Sequence, residues 1–408
     1  MFDGERSVAM KRSERDGAAA RLARRSFMKG GAGALVAASC LPALGRGAAT
    51  PGAQAIQGAG AKLYVCPPCG ADCDKLTFDR PGQCPGCGMT LIEKALADKF
   101  PTVAILLFDH VEIIDFAGPW EVFGGAGYKV FTVAEKTDPV NCVYGQRVVA
   151  DYTFENSPRS DVLLVPGGGV GQAVNNPRLI KWVQDGAKQS SYVMSVCTGA
   201  FILARAGLLD GLTATTVRHA IDNLATAGKN IKTVYDRRYV DNGKVITTAG
   251  LSSGIDGAFY LVSKMLGKGT AQQTALGIEY KWEPDSKFAR AAYADRYLPN
   301  FQGFDAEIIS TEGDTERWEI RAVVARPASV AEIMELTRRQ IASGTPHTGS
   351  PVTFVPHAGP GNDRAEIEWK FKDDEGRGWR GSAVAEPLTD AKDKFVLTLR
   401  LARERTPA

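Results

Sequence analysis

The sequence predicts an α/β protein built on a doubly wound parallel sheet, and three observations carry that expectation. Between residues 100 and 287, apolar runs of strand length recur at Thr102–Phe108 (TVAILLF), Tyr128–Ala134 (YKVFTVA), Asp161–Val165 (DVLLV) and Tyr192–Val196 (YVMSV). These runs are hydrophobic throughout rather than alternating, as expected of strands covered on both faces. Helical patterns separate them, at Gly118–Phe123, Pro177–Lys188, Thr198–Ala206, Ile255–Leu266 and Ala271–Tyr280, and this alternation is that of a parallel sheet wrapped by helices. Lys232–Tyr239 followed by Gly243–Thr248 reads as a hairpin.

Taken in chain order, the first 50 residues read as an address. Ala23-Arg24-Arg25-Ser26-Phe27-Met28-Lys29 resembles a twin-arginine export signal, and the Gly/Ala-rich run after it is short and weakly apolar. Such a run suits a cleaved signal better than a membrane span. The expected location is the periplasm or cell envelope, with no stable span in the mature protein. Residues 51–62 read as a Gly/Ala/Gln linker. The net charge of +3 on 408 residues and the lack of a dense basic face argue against a nucleic-acid partner. Eight cysteines are too few for a disulfide scaffold of this length.

Residues 63–95 form a small unit rich in Cys, Pro and Gly. Cys66-Pro-Pro-Cys69 and Cys84-Pro-Gly-Cys87 make two C-x-x-C corners separated by 14 residues. Four thiolates at such spacing suit a closed tetrahedral site for structural zinc or another soft metal. Two disulfides are the alternative in an oxidising compartment. The unit also resembles the heavy-metal-binding domain of metal-transport proteins, through Tyr64-Val65-Cys66-Pro67 and Pro81-Gly82-Gln83-Cys84-Pro85-Gly86-Cys87-Gly88-Met89. Pro68 and Cys69 stand where that family has a Met-His pair, so the implied ligands are Cys66, Cys69, Cys84 and Cys87. Cys73 is a spare thiol able to replace one of them.

Within residues 100–287 the strand Tyr192–Val196 ends at Cys197-Thr198-Gly199-Ala200, and a helical pattern follows. A cysteine at a strand-to-helix turn sits near a helix N-terminus, where the dipole favours the nucleophilic thiolate. That makes Cys197 the expected fastest-reacting thiol; a buried structural cysteine is the alternative. The turn Val165-Pro166-Gly167-Gly168-Gly169 offers backbone N–H groups, and Gly168 and Gly169 with Thr198 are expected to form an oxyanion pocket. A short loop after the first strand carries Asp115 to the same carboxyl edge of the sheet, where open α/β sheets place their sites. A carboxyl beside a thiolate should share its proton and serve as general acid. The alternative for Asp115 is a loop acid capping a helix at Gly118.

These motifs, together with Asp115-Phe-Ala-Gly-Pro-Trp-Glu-Val-Phe123, Ala206-Gly-Leu-Leu-Asp-Gly211, Thr215-Thr216 and Thr248-Ala-Gly-Leu-Ser-Ser-Gly-Ile-Asp256, resemble the ThiJ/PfpI family. The resemblance implies a flavodoxin-like, class I glutamine-amidotransferase-like fold, a catalytic set of Cys197, Asp115 and Thr198, no cofactor in that site, and a homodimer. Thr198 stands where protease-like members have His, which argues against proteolysis. Cys-Thr-Gly-Ala is the pattern of isonitrile-hydratase-like members and of the ligand-binding halves of AraC-type regulators. His219 is displaced by two positions from that subgroup's downstream His, and is expected either to reach the pocket or to be a satisfied surface or core residue. Glu121 reads as a helix-surface or interface residue.

Residues 300–408 read as a separate α+β domain of unassigned role. Strands are expected at Ala306–Ser310, Arg317–Val324, Ala365–Phe371 and Lys394–Leu401, with a helix over Ser329–Ser343 capped by Ser329. Two functions fit the whole chain. One is an exported enzyme in which Cys197 adds to the electrophilic carbon of a small isocyanide, assisted by Asp115. The other is a non-catalytic envelope protein that binds a ligand or senses metal or redox stress.

Overall fold

The computed structural model describes residues 62–404, except 69–71, 287, 299–302, 328, 344–347, 356–363 and 392. The twin-arginine signal, the linker and Cys69 therefore lie outside the described residues. Among the described residues, no helix is long and apolar enough to cross a membrane.

The α/β region forms a seven-stranded sheet. Its strands are β1 (Thr102–Leu106), β2 (Lys129–Ala134), β3 (Tyr152–Thr153), β4 (Val162–Val165), β5 (Tyr192–Val196), β6 (Tyr239–Asp241) and β7 (Val245–Thr248). The spatial order is β6-β7-β5-β4-β1-β2-β3. All neighbours run parallel except β6, which returns antiparallel on β7 with Tyr239 opposite Thr248. The four residues of β4 are all buried, which explains its unbroken apolar sequence. After β1 the chain builds outward through β2 and β3, then crosses to β4 on the other side. That reversal opens a crevice at the carboxyl ends of β1 and β4.

Four helices matter for the site: α1 (Ile113–Gly125), α2 (Pro177–Gln189), α3 (Gly199–Arg205) and α4 (Ser252–Leu266). Asn176 caps α2 by accepting from the N–H groups of Arg178 and Leu179, with Pro177 at the first position. Helix α1 starts five residues earlier than the Gly118-Pro119 signal suggested. Pro119 lies inside it, where it cannot donate to the Asp115 carbonyl four residues back. Asp115 is thus in the first turn of a helix rather than in a loop. Gly118 allows α1 and α4 to touch, since a Cβ there would lie 2.8 Å from Ile255 Cγ1. The expected hairpin is present only in its second half, because Lys232–Thr233 pairs instead with Thr213–Ala214.

The C-terminal region forms a six-stranded antiparallel sheet from β8 (Asp305–Gly313), β9 (Arg317–Arg326), β10 (Thr353–Val355), β11 (Ala365–Lys372), β12 (Gly378–Pro387) and β13 (Phe395–Arg403), ordered β8-β9-β13-β12-β11-β10. Helix α5 (Val330–Ala342) begins at the cap Ser329, whose Oγ accepts from the Glu332 N–H at 3.3 Å. Its buried face, including Ile333 and Ile341, joins Trp369, Trp379 and Leu399 in a core of their own. Asp373 is buried in the turn between β11 and β12 and accepts from Tyr297 Oη, Trp379 Nε1 and Arg377 Nε.

Candidate active site and metal centre

Strand β5 ends at Val196, and α3 begins at Gly199. Cys197 makes the turn with φ +55°, a left-handed conformation that costs a non-glycine residue about 1 kcal/mol or more. The turn is held from both sides. The Cys197 N–H donates to the Ala249 carbonyl at 3.2 Å, and Thr216 Oγ1 donates to the Cys197 carbonyl at 2.6 Å. The thiol is 7% exposed.

Asp115, at 0% exposure, meets Cys197 from α1. Its Oδ2 accepts from the Gly167 N–H at 3.0 Å. Its Oδ1 is buried with no partner in hydrogen-bond geometry, and the Cys197 thiol and the Leu251 N–H are the groups nearby that act on the carboxyl. Burial raises the carboxyl to about 7, against the opposing pull of the Gly167 N–H. The raised value was expected, but its main cause is desolvation rather than a proton shared with the thiol.

The thiol departs from expectation. Burial first, and then the charge of Asp115, push Cys197 up to about 12, although the Thr198 N–H and hydroxyl pull it down. Helix α3 has seven residues, and the Thr198 N–H and hydroxyl at its start lower the thiol less than burial and the Asp115 charge raise it. At neutral pH Cys197 therefore carries its proton, and the group next to it that titrates is Asp115. A nucleophile of this kind is generated by proton transfer during attack, not stored as a thiolate.

The glycine turn after β4 also has a different use. The Gly168 N–H donates to Thr198 Oγ1 at 2.9 Å, and the same hydroxyl donates back to the Gly168 carbonyl at 2.9 Å. The Gly169 N–H donates to the His110 carbonyl at 2.8 Å. All three glycine N–H groups are thus committed, so Gly168 and Gly169 do not offer free donors to an oxyanion. The turn is a clamp that aims Asp115 and Thr198, leaving the Thr198 N–H as the donor facing the sulfur. Gly168 has φ +121°, and a Cβ there would lie 2.2 Å from the His110 carbonyl oxygen. Gly168→Ala should therefore lose about 2 kcal/mol or more of stability, measurable by denaturant titration.

Of the remaining candidates, His219 is exposed on the turn Arg218–Ala220 and takes part in none of the hydrogen bonds around Cys197. Glu121 is exposed on α1. The structure adds two groups that sequence reasoning did not assign to the site, the Thr216 hydroxyl and the Leu251 N–H. Thr216 belonged to a recognised motif, whereas the positive φ of Leu251 (57°) left no signal in its residue type.

The second cluster lies in the N-terminal unit. Two-residue strands Tyr64–Val65, Thr77–Phe78 and Ile92–Glu93 form a small antiparallel sheet. The turn after Cys84 closes through the Gly88 N–H on the Cys84 carbonyl at 2.8 Å. The sulfurs of Cys66, Cys73, Cys84 and Cys87 all lie within 4.8 Å of one another. Zinc–sulfur bonds of about 2.3 Å put tetrahedral sulfurs roughly 3.8 Å apart, so this donor set fits a soft divalent metal. The 3.2 Å between the Cys66 and Cys87 sulfurs exceeds the ~2.05 Å of a disulfide. The spare thiol Cys73 occupies a place in the described set. Cys87 is lowered to about 7, chiefly by the Met89 backbone N–H and then by Cys66.

Both regions have known relatives. Residues 101–264 match the DJ-1/PfpI family, and residues 63–94 match the heavy metal binding domain. An isonitrile hydratase of Pseudomonas putida is 37% identical over 184 residues, which is 45% of this chain and 79% of that protein. The HTH-type transcriptional regulator CdhR of Pseudomonas aeruginosa is 26% identical over 218 residues, covering 52% of this chain and 62% of the regulator. A solved ThiJ/PfpI family protein from Pseudomonas syringae shares 32% identity, covering 46% of this chain and 78% of that one, with a TM-score of 0.43.

Proposed function

The chain belongs to the DJ-1/PfpI family, and from that premise we propose that it hydrates small isocyanides to N-substituted formamides, with Cys197 as nucleophile. The observation that carries this reading is the buried Oδ1 of Asp115, without a hydrogen-bond partner, beside the Cys197 thiol. In the ionised form that carboxylate takes the Cys197 proton as sulfur bonds to the isocyanide carbon, and it delivers the proton to the same carbon. The product is a thioimidate, in which carbon is bonded to sulfur, hydrogen and the substrate nitrogen. Water then adds to that carbon, the C–S bond breaks, the sulfur recovers a proton and the formamide leaves. Thr198, fixed by Gly168, directs its N–H at the reacting centre. The covalent route divides one hard addition into two easier ones. The test is incubation of the purified protein with a simple alkyl isocyanide. Formamide should accumulate catalytically, and its absence under saturating substrate would leave a binding or sensing role in its place.

At the knuckle, Cys66, Cys73, Cys84 and Cys87 would hold zinc or another soft metal as a structural ion. Four thiolates leave no open position for chemistry. Elemental analysis should find about one metal per chain, and Cys73→Ser should lower that occupancy. Unchanged loading in Cys73→Ser would return the fourth position to Cys69. The export reading rests on Arg24-Arg25-Ser26-Phe27; replacing both arginines with lysine should retain the protein in the cytoplasm.

A further inference from the structure

Two rims of the Cys197 pocket are held from outside the α/β region. On one rim, Thr216 binds the Cys197 carbonyl. Val217 beside it packs on Gly250, where a Cβ would lie 2.6 Å from Val217 Cγ2. The next residue, Arg218, pairs with Asp295 at 3.4 Å. On the other rim, the Leu251 N–H acts on Asp115, and Ser252 Oγ accepts from Arg238 Nη2 at 3.3 Å. Arg238 also pairs with the buried Asp256 and donates to the Phe288 carbonyl at 2.9 Å. Both arginines thus end on one short segment, Phe288–Tyr297, which leads into the C-terminal sheet.

That segment is anchored in turn. Tyr297 Oη donates to the buried Asp373 at 3.2 Å, and the Arg296 guanidinium lies 5.0 Å over the Tyr235 ring. Asp295 has only 9% of its side chain exposed and holds Arg290 as well as Arg218. Arg218 Nε is buried without a hydrogen bond, so Asp295 supplies the opposing charge that keeps this guanidinium in place. Loss of that charge leaves a half-buried cation uncompensated, and its easiest relief is movement of the rim that carries it.

We propose that Asp295 is a positioning residue for the cysteine site: through Arg218 it fixes the Thr216–Val217 rim, so that the C-terminal domain sets the reactivity of Cys197. The proposal rests on Cys197 being the reacting group but not on any particular substrate.

The experiment is alkylation of the full chain by excess iodoacetamide across pH 6 to 9, with modification of the Cys197 peptide followed by mass spectrometry. The buried Cys142 serves in the same samples as a reporter of general opening. Asp295→Asn and Arg218→Gln should each change the Cys197 rate about fivefold, and the double variant should be no further from wild type than either single one. Asp295→Glu should restore most of the wild-type rate and its pH dependence. Cys142 should stay at its wild-type rate throughout. If Asp295→Asn fails to fold, Arg218→Gln carries the comparison. Unchanged Cys197 rates, effects that add in the double variant, or a parallel rise at Cys142 would each overturn the proposal. Because alkylation needs no turnover, this result is independent of whether isocyanides are substrates.

Discussion

Replacing Cys197 with alanine is expected to reduce isocyanide hydration by at least about 1000-fold, some 4 kcal/mol of transition-state stabilisation. The expectation follows from the covalent route, because no other described thiol shares the crevice with Asp115. Cys142 is buried and raised by its own burial, and the knuckle thiols form a separate cluster. Stability should fall only modestly, since alanine keeps the strain of the φ +55° turn and gives up the packing of one buried sulfur. Product quantification under saturating substrate, paired with a thermal melt, separates the two effects. Cys197→Ser should be nearly as inactive, because a serine hydroxyl is harder still for Asp115 to deprotonate.

Asp115→Asn should lower the rate by about 10²- to 10⁴-fold, the range spanned by general acid–base groups, and should remove the acid limb of the pH profile. In the wild-type protein the ionised carboxylate is the active base. The rate should therefore rise with pH through about 7, where burial has placed this group, and level off above it. The same substitution is expected to stabilise the fold in neutral and alkaline solution. Folded Asp115 keeps its proton to about 7, while the unfolded chain releases it near 3.8. Between those values the folded state binds more protons, so stability falls as pH rises through the window. At ~1.4 kcal/mol per pH unit, the loss reaches about 4 kcal/mol at pH 8. Asparagine carries no charge to bury and should recover much of it. A higher melting temperature for the variant at pH 8, shrinking toward pH 4, is the signature; equal melting curves at both pH values would show that Asp115 is not held protonated by burial.

Much of the fold is legible in the sequence. The buried strands β1, β4 and β5 announce themselves because residues covered on both faces are apolar without alternation. The elbow at Cys197 is legible because a strand ends abruptly in small residues. What escaped has physical causes. The true start of helix α1 is masked because Gly118-Pro119 imitates a helix start, whereas Gly118 serves contact with Ile255 and Pro119 is tolerated mid-helix. Strand β12 gives little signal because half of its sequence, GWRGSAVAEP, is glycine, serine or alanine. Gly381 within it gives Trp369 room, with the ring about where a Cβ would be, 2.1 Å from it.

The site was legible in identity but not in electrostatics. Cys197, Asp115 and Thr198 are brought together. However, residue type does not say that burial and a neighbouring carboxylate outweigh the Thr198 donors at the helix start. Nor does a glycine triplet reveal that its N–H groups already bind Asp115, Thr198 and His110. Cys73 was legible only as a spare thiol, since its approach to Cys66 (4.0 Å) depends on the turn between them rather than on motif spacing.

The most direct test is to quench the protein in acid during isocyanide turnover and weigh the peptide that contains Cys197. The account predicts a mass increase equal to one isocyanide on Cys197, absent before substrate is added and absent in Cys197→Ala. Formamide produced with no adduct on Cys197 at any time point, or with adduct on the knuckle thiols alone, would contradict it.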